Sequence, residues 1–304
     1  MAIMNSKQKW YSFPLTGIMG GLFLLFAACS NVDEADRLVV INTLDVDTTA
    51  VDTDDITDDL YAPQVRNILI EDFTGQDCVN CPDATEIISL IAIKAAQSDG
   101  YGVVPVAIHS GPLGVMPSTQ HPDGLATELG NTYYTTWGGQ YQPIGLINRS
   151  SDGLLDKEYW DAAVSYYASE FNATASTNIA ITPEYNATTG QLDVKVYVAA
   201  IEGATTGKLQ VWLTEDNIVA FQRFPGNVVQ EDYVHNHVLR CSLNGTWGED
   251  ISVAEEQYIE KDYSCQVDGQ WNASQLTVVA FVTNDSGVVQ VVKMKVERWM
   301  RVES

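Results

Sequence analysis

The chain has 304 residues, which is long enough for two domains of ordinary size. Hydrophobic residues make up 45% and charged residues 18%, a mixture that excludes an intrinsically disordered chain. The 40 acidic residues outnumber the 16 basic ones and give a formal charge of -24, so the surface repels phosphate and a nucleic-acid partner is not expected.

The first 29 residues have the pattern of an export signal. Lys7 and Lys9 precede the apolar run "IMGGLFLLFAA", which ends immediately before Cys29. That run is shorter than the roughly 20 apolar residues that span a bilayer, so we interpret residues 1–29 as a signal peptide. The sequence "LFAAC" resembles a bacterial lipobox, in which the cysteine is diacylated and becomes the new N-terminus. Cys29 is therefore the predicted lipidation site; the alternative is an ordinary signal peptide in which Cys29 is incidental.

Residues 30–62 are predicted to form an acidic, flexible tether. Arg37 is the single basic residue of this segment, and no aromatic residue precedes Tyr61. Such a segment buries too little apolar surface to offset the entropy lost on ordering. Acidic residues directly after a lipidated cysteine resemble the surface-export signal of lipoproteins in some Gram-negative anaerobes. We therefore expect display on the outside of the outer membrane, with its periplasmic face as the alternative.

The next segment, residues 63–172, predicts a small α/β domain. The strand-like run "VRNILIEDF" leads into a helix with an apolar face, and the strand-like run "VVPVAIH" follows. This order implies two parallel strands joined by a crossover helix. Residues 110–140 are rich in Gly, Pro, Thr and Tyr and are interpreted as an inserted loop and helix. A short strand in "QPIGLINR" and an amphipathic helix over residues 156–170 complete the domain.

From residue 173 the apolar period changes to two. "LDVKVYV" and "KLQVWLTED" alternate apolar and polar positions, and "QLTVVAFVTNDSGVVQVVKMKV" contains two strand-like runs joined by a turn at Asn284–Gly287. Several short strands without helices predict a β-sandwich of immunoglobulin type over residues 173–304. The expected fold class is therefore α/β plus all-β.

Cys78 and Cys81 form a CxxC motif at the corner between the first strand and the first helix. This spacing and position are typical of thioredoxin-like redox sites. Amide N–H groups at a helix start favour thiolate over thiol, so Cys78 is the candidate nucleophile and Cys81 the resolving thiol. Pro143, which precedes a later strand, is the candidate cis-proline of such a site.

Asp77 argues against a reactive thiol at this corner. A carboxylate beside Cys78 opposes the thiolate and counteracts the effect of the helix start. We therefore favour a structural disulfide between Cys78 and Cys81, with redox chemistry second and metal binding third. A zinc site would need two more nearby ligands, and the sequence has no second CxxC.

The remaining cysteines predict a second disulfide. Without Cys29, four cysteines remain, and an even number in an exported chain indicates two disulfides. The most economical pairing joins Cys78 to Cys81 and Cys241 to Cys265. Free buried thiols are the alternative for Cys241 and Cys265.

His235 and His237 are weak candidates for metal ligands. Two residues apart on a strand, their side chains would point to one face. The competing interpretation is a pair of polar positions on an exposed strand face. Since no third ligand is identifiable, we predict no metal site and no cofactor.

Four segments together resemble a known family. They are "FAAC", "ILIEDFTGQDCVNCPDAT", "YQPIGLINR" and "YVHNHVLRCSLNGTWGE", and the "EDFTG" plus CxxCP block is the most specific of them. The chain resembles the outer membrane protein 28-related lipoproteins over nearly all of its mature length. The resemblance implies an N-terminal thioredoxin-like domain, a C-terminal immunoglobulin-like domain and anchorage in the outer membrane.

These observations favour a non-enzymatic, lipid-anchored surface protein that binds a ligand or partner. Its expected partners are the outer membrane, through the N-terminal lipid, and an outer-membrane nutrient transporter or a surface ligand involved in adhesion. The alternative is a thiol–disulfide oxidoreductase that uses Cys78 and Cys81.

Overall fold

The computed structural model describes residues 60–98, 100–170, 174–296 and 300–301, all of which belong to one compact unit. The predicted signal peptide, the predicted lipidation site Cys29 and most of the predicted tether lie outside these residues. Within the described ranges, no helix is both long enough and apolar enough to cross a bilayer.

The helices described over their whole length lie where the apolar periodicity indicates them. They are α1 (Cys81–Ala96), α2 (Glu128–Thr136) and α3 (Trp160–Glu170). Helix α1 has Pro82 at its start, where the missing N–H costs no hydrogen bond, and it buries a face that includes Ile88 and Ile91. Helix α2 is capped by Thr127, whose hydroxyl accepts a hydrogen bond from the Gly130 amide at 2.9 Å.

Most of the remaining structure is strand. The strands are β1 (Asn67–Thr74), β2 (Gly102–His109), β3 (Ile144–Ile147), β4 (Leu154–Leu155), β5 (Thr177–Asn186), β6 (Gln191–Ala200), β7 (Thr205–Glu215), β8 (Ile218–Phe224), β9 (Val228–His235), β10 (Val238–Ser242), β11 (Glu249–Val253), β12 (Tyr258–Gln266), β13 (Leu276–Asn284), β14 (Gly287–Lys295) and β15 (Met300–Arg301).

The α/β part is built around the predicted parallel pair. Strands β1 and β2 pair in parallel from Asn67 opposite Gly102 to Thr74 opposite His109, with α1 as the crossover. Strand β3 adds to the other side of β1 in antiparallel orientation. Helices α1 and α3 cover one face of these strands through a core that includes Ile70, Ile91 and Trp160. The predicted strand–helix–strand unit is thus confirmed.

The β-rich part consists of two sheets packed face to face. The small sheet has the order β12-β6-β5-β15. Strands β7, β13, β14 and β11 of the large sheet pack on it, and the shared core includes Ile181, Val196, Val211 and Val278. Strands β13 and β14 form the predicted hairpin, with Asn284 opposite Gly287. The predicted β-sandwich is present, and its alternating apolar residues form the core between the sheets.

One sheet runs through both parts of the molecule. Its order is β14-β13-β7-β10-β2-β1-β3-β4, so strands from both sides of residue 173 contribute to it. The junction is narrow: Val238 of β10 pairs with Ala107 of β2, and the Ala107 amide donates to the His237 carbonyl at 2.8 Å. We call this contact between β2 and β10 the seam.

An ion pair lies in the core near this junction. The Arg149 guanidinium donates two hydrogen bonds to the Glu71 carboxylate, both at 2.8 Å. The same guanidinium lies 4.9 Å from the ring centre of Phe281 and 5.3 Å from that of Trp212, two residues of the β-rich part. Burial alone would lower the pKa of Arg149, but the charge and hydrogen bonds of Glu71 outweigh it and raise that pKa.

The end of the predicted tether differs from the prediction. Leu60 is fully buried, and the Asn178 amide group donates to the carbonyls of Leu60 at 2.8 Å and Ala62 at 2.7 Å. The Leu60 side chain therefore packs in a small apolar cluster with Ala180 of β5 and Ala199 of β6, and Asn178 of β5 holds the backbone that follows it.

Candidate disulfide site

The CxxC motif lies at the corner between β1 and α1, as predicted. Cys78 and Cys81 are joined by a disulfide, with their Cα atoms 5.4 Å apart. Both cysteines are buried, with Cys78 0% exposed and Cys81 2% exposed, whereas Val79 between them is exposed. A thiol exchange partner would have to reach one of these two sulfurs.

The loop before Cys78 is held by close backbone contacts. A Cβ atom on Gly75 would lie 2.2 Å from the carbonyl oxygen of Leu113, so only glycine fits there. The Gln76 side chain makes three hydrogen bonds. Its amide group donates to the carbonyls of Asp123 at 3.2 Å and Phe221 at 3.3 Å, and its oxygen accepts from the Leu125 amide at 2.8 Å. These bonds attach the CxxC loop to segments far away in sequence.

Pro143 lies beside this loop. The Gln142–Pro143 peptide bond is cis, as the sequence interpretation required of this residue. The Gln142 amide group donates to the carbonyls of Thr74 at 2.6 Å and Ser110 at 2.8 Å. The proline loop is therefore fixed to the carboxyl ends of β1 and β2, next to the disulfide corner.

Asp72 is a site residue that sequence reasoning missed. It lies on β1, is 1% exposed, and its Oδ1 atom has no hydrogen-bond partner among the described residues. Burial raises the pKa of Asp72 to about 8.

Asp72 lines a cavity of about 70 Å³ together with Thr85 of α1 and Ala107 of β2. A smaller cavity of about 20 Å³ shares Thr85 and Ala107 and reaches Cys81. The sequence signal that could have identified Asp72 is an acidic residue within the otherwise apolar run of strand β1.

The β8–β9 hairpin covers the corner. It forms a two-stranded sheet that is separate from the other two sheets. The Gln222 amide group donates to the carbonyls of Cys78 at 2.8 Å and Gly75 at 3.3 Å, and the Arg223 amide donates to the Gln76 carbonyl at 2.8 Å. The sequence interpretation did not identify this hairpin, which binds the Cys78 carbonyl and lines the small cavity beside Cys81.

Asp77 does not face Cys78 as an unpaired charge. Its carboxylate lies 2.5 Å from Nε of Arg223 on the hairpin. The argument that Asp77 opposes a thiolate at Cys78 is therefore weaker than the sequence suggests, because Arg223 partly balances the negative charge. Both side chains are more than a third exposed, so solvent also screens the pair.

The structure separates His235 from His237. Strand β9 ends at His235, and His237 lies beyond it with a positive φ of 58°, so the two side chains do not share a strand face. His237 lies 3.0 Å from the Asp216 carboxylate, whereas His235 packs edge-on against His109 with ring centres 5.1 Å apart. Among the described residues, no group of three or more His, Cys, Asp or Glu side chains is arranged to hold a metal ion.

The predicted bridge between Cys241 and Cys265 is not formed, because both are free cysteines in the structure. Cys241 on β10 is opposite Leu213, and Cys265 on β12 is opposite Leu192, so each cysteine is placed by its own ladder. Both pack against the sandwich core. Burial raises the pKa of Cys241 to about 12, with a smaller contribution from the nearby Cys265. The alternative of two partly buried thiols describes them.

Comparison with known proteins gives the family. The model of the family "Outer membrane protein Omp28" matches residues 130–299. HBP35 of Porphyromonas gingivalis is similar in structure, with a TM-score of 0.60 and 16% identity over 79% of this chain and 78% of that chain. At this identity the likeness shows the fold alone.

A second solved structure is a domain of the outer membrane lipoprotein Omp28 from Porphyromonas gingivalis. It has 28% identity and a TM-score of 0.30 over 40% of this chain and 88% of that chain. No curated protein matches. The residues that the family model matches make up more than half of the 304-residue chain and include β3 to β14, so the chain belongs to the Omp28 family of outer membrane proteins, as its sequence motifs predict.

Proposed function

We propose that this chain is a lipid-anchored outer membrane lipoprotein that acts as a binding or accessory protein and not as an enzyme. Membership of the Omp28 family supports a location at the outer membrane. The lipobox-like sequence that ends at Cys29 supports anchorage by a lipid on that residue. Its described part combines a strand–helix–strand unit that carries the CxxC disulfide with two packed β-sheets. We infer that its role is nutrient uptake beside a transporter or adhesion at the cell surface.

The observation that carries the non-enzymatic role is the burial of the disulfide. A thiol–disulfide enzyme passes through a mixed disulfide, in which its nucleophilic sulfur bonds to a sulfur of the substrate. Cys78 is fully buried under the β8–β9 hairpin, and its carbonyl is bonded to Gln222. A protein substrate therefore has no direct path to the sulfur in the closed structure. The disulfide holds strand to helix.

Anchorage and partner binding are tested with Cys29→Ala. The wild-type chain is expected in the outer membrane fraction and accessible to an added protease on intact cells, whereas the variant is soluble. Chemical crosslinking before solubilisation is expected to join the wild-type chain to an outer membrane protein in a stoichiometric complex that the variant loses. Retention of the variant in the membrane would count against the lipid anchor.

A thiol–disulfide oxidoreductase is the second candidate. The observation that favours it is Asp72, a buried carboxyl group with a raised pKa, in a cavity that adjoins the one beside Cys81. Such a group can exchange a proton with a cysteine during thiol chemistry. Reduction of insulin by the full chain, compared with Cys78→Ser as the matched control, separates the two candidates. Equal rates for both chains support the binding role, and turnover that depends on Cys78 supports the enzyme.

A further inference from the structure

The β8–β9 hairpin is attached to the rest of the molecule mainly by polar contacts. Gln222 and Arg223 bind the carbonyls and the carboxylate of the CxxC loop, as described above. The apolar contacts of the hairpin are small: Ala220 and Ile218 join Leu125 and Val238 in a small separate cluster, and the Phe221 ring lies beside that of His121. The hairpin therefore lacks the large apolar interface that would fix it permanently, and its opening exposes less apolar surface than the opening of a core element.

Two buried histidines meet where the hairpin contacts β2. His235 closes β9, and His109 closes β2, at 5% and 3% exposure. The rings touch edge to face at 5.1 Å, and Nε2 of His235 lies 3.3 Å from the Phe221 carbonyl. Nδ1 of His109 is buried without a hydrogen-bond partner among the described residues. Cys81 lines the same cavity as both rings, so the two histidines lie beside the disulfide.

We propose that the β8–β9 hairpin is a lid over the Cys78–Cys81 disulfide, and that the His109–His235 contact is an acid-sensitive latch that holds the lid closed. Two neutral rings fit edge to face in a buried site. Two imidazolium rings at this distance repel each other and lose their hydration, so proton uptake favours the open lid.

The charges around the latch oppose proton uptake while the lid is closed. Burial is the main cause that lowers the pKa of both histidines, and Arg240 lowers both further. Arg240 is itself paired with Glu215, with Nε 2.7 Å from Oε2. Asp123 and the bond to the Phe221 carbonyl act in the opposite direction on His235.

Two further titratable groups lie at this end of the hairpin, one on β9 and one on a neighbouring loop. Tyr233 lies 4.8 Å from His235 by ring centres, and His121 lies 5.8 Å from Phe221 by ring centres. His237 lies on the loop that follows β9, and its ring is paired with the Asp216 carboxylate. The disulfide itself carries no charge.

The sign of the pH dependence follows from these pKa directions. In the closed state the pKa of His235 is lowered to about 4, and that of His109 lies well below its ordinary value. In the open state each ring returns toward its ordinary pKa of about 6.5. The open state therefore binds more protons between pH 6.5 and 4, and the closed lid loses stability as the pH falls through this range. For His235 alone, the open fraction rises about 30-fold between pH 7.5 and pH 5.

The test measures how fast a small reductant reaches the disulfide in the full chain. A water-soluble phosphine attacks one sulfur and breaks the S–S bond. The phosphine gives up two electrons and takes the oxygen of a water molecule, while the protons of that water end on the two thiols. The reaction is stopped by alkylation, and the peptide that contains Cys78 and Cys81 is quantified by mass spectrometry. Each rate is divided by that of oxidised glutathione at the same pH, which removes the pH dependence of the reductant.

The expected normalised rate rises at least 10-fold from pH 7.5 to pH 5 in the wild-type chain. The double variant His109→Phe with His235→Phe keeps two rings in the latch but neither can take up a proton, so its rate is expected to be nearly constant over this range, whereas His235→Phe alone should keep the part of the rise that His109 contributes. His121→Phe is the matched control, because His121 is exposed beside the same hairpin, and it should keep the wild-type rise. Gln222→Ala is expected to raise the rate at pH 7.5.

Three results would overturn the proposal. They are a wild-type rate that does not change with pH, a full rise that persists in the double variant His109→Phe with His235→Phe, or a rise that follows global unfolding detected by tryptophan fluorescence in the same samples. The inference concerns the corner on which the second candidate function rests. Because the reductant is a small molecule, the outcome is independent of whether the chain reduces insulin or binds a partner, so the two ideas fail separately.

Discussion

Asp72 shows how one buried carboxyl group makes stability depend on pH. The unfolded chain loses this proton near pH 4, whereas the folded chain keeps it up to about pH 8. Between these values the unfolded state binds fewer protons, so folding stability falls as the pH rises. This direction is the opposite of that given by a carboxylate in an ion pair.

Asp72→Asn is therefore expected to stabilise the protein at neutral pH. The amide fills the same space and never ionises, so the gain is on the order of 4–5 kcal/mol at pH 7.5 and vanishes near pH 4. Urea unfolding of both chains from pH 4 to 8 measures it. Asp161→Asn, at an exposed position on α3, should follow the wild-type curve. Parallel curves for Asp72→Asn and the wild type would contradict the raised pKa.

The sequence predicted the residues of the corner but not their environment. The CxxC motif, its place at a helix start and Pro143 were all found from local pattern, and the structure has each of them at the corner. The depth of burial was not predictable, since it comes from Gln222 and Arg223, more than 140 positions away. The opposing charge of Asp77 was overestimated for the same reason.

At the scale of elements, periodicity predicted β6, β7, β13 and β14 of the β-rich part but did not identify the β8–β9 hairpin. Strand β9 has exposed or half-buried residues at nearly every position, so it shows no alternation. Its partner is its own neighbour in sequence, and its fixed position comes from side-chain amides. Elements that are held by polar contacts leave no apolar signal in a sequence.

The facing thiols of β10 and β12 give a prediction at this scale. Unfolding without reductant, followed by alkylation, is expected to label Cys241 and Cys265 and to leave Cys78 and Cys81 unlabelled. In the folded protein at pH 8, labelling of Cys241 is expected to be about 1000-fold slower, because burial raises the pKa of its thiol to about 12 and thiolate is scarce. Mass spectrometry of the peptides reads both results. If Cys241 and Cys265 also remained unlabelled after unfolding, this result would instead reveal a bridge between the sheets, and Cys241→Ser would then free Cys265.

At the scale of the whole molecule, the α/β and β-rich parts share a core. Leu69 and Val106 of the first part pack in one cluster with Trp212 and Phe281 of the second. A change of period at residue 173 correctly marks a change of secondary structure. It does not reveal the shared sheet, because strand order is set by contacts between distant segments.

Breaking the ion pair of Glu71 and Arg149 is expected to lower the unfolding free energy of the protein, because the pair is buried in this shared core. Arg149→Met leaves the Glu71 carboxylate buried without a partner, which should cost about 3–5 kcal/mol of unfolding free energy. The double variant Glu71→Gln with Arg149→Met should recover part of this loss. Urea unfolding measures both. Lys94→Met, which breaks the exposed pair with Asp161, is the control and should change stability by about 1 kcal/mol or less. A loss of similar size in Arg149→Met and Lys94→Met would contradict this assignment.

The seam gives the hairpin a second role. Strand β9 passes through Asn236 and His237 into β10, and the His237 carbonyl is the acceptor that joins β10 to β2. The same short stretch of backbone therefore ends the cover of the disulfide and begins the bond between the two halves. A substitution that shifts this stretch of backbone is therefore expected to disturb both the cover of the disulfide and the pairing of β10 with β2.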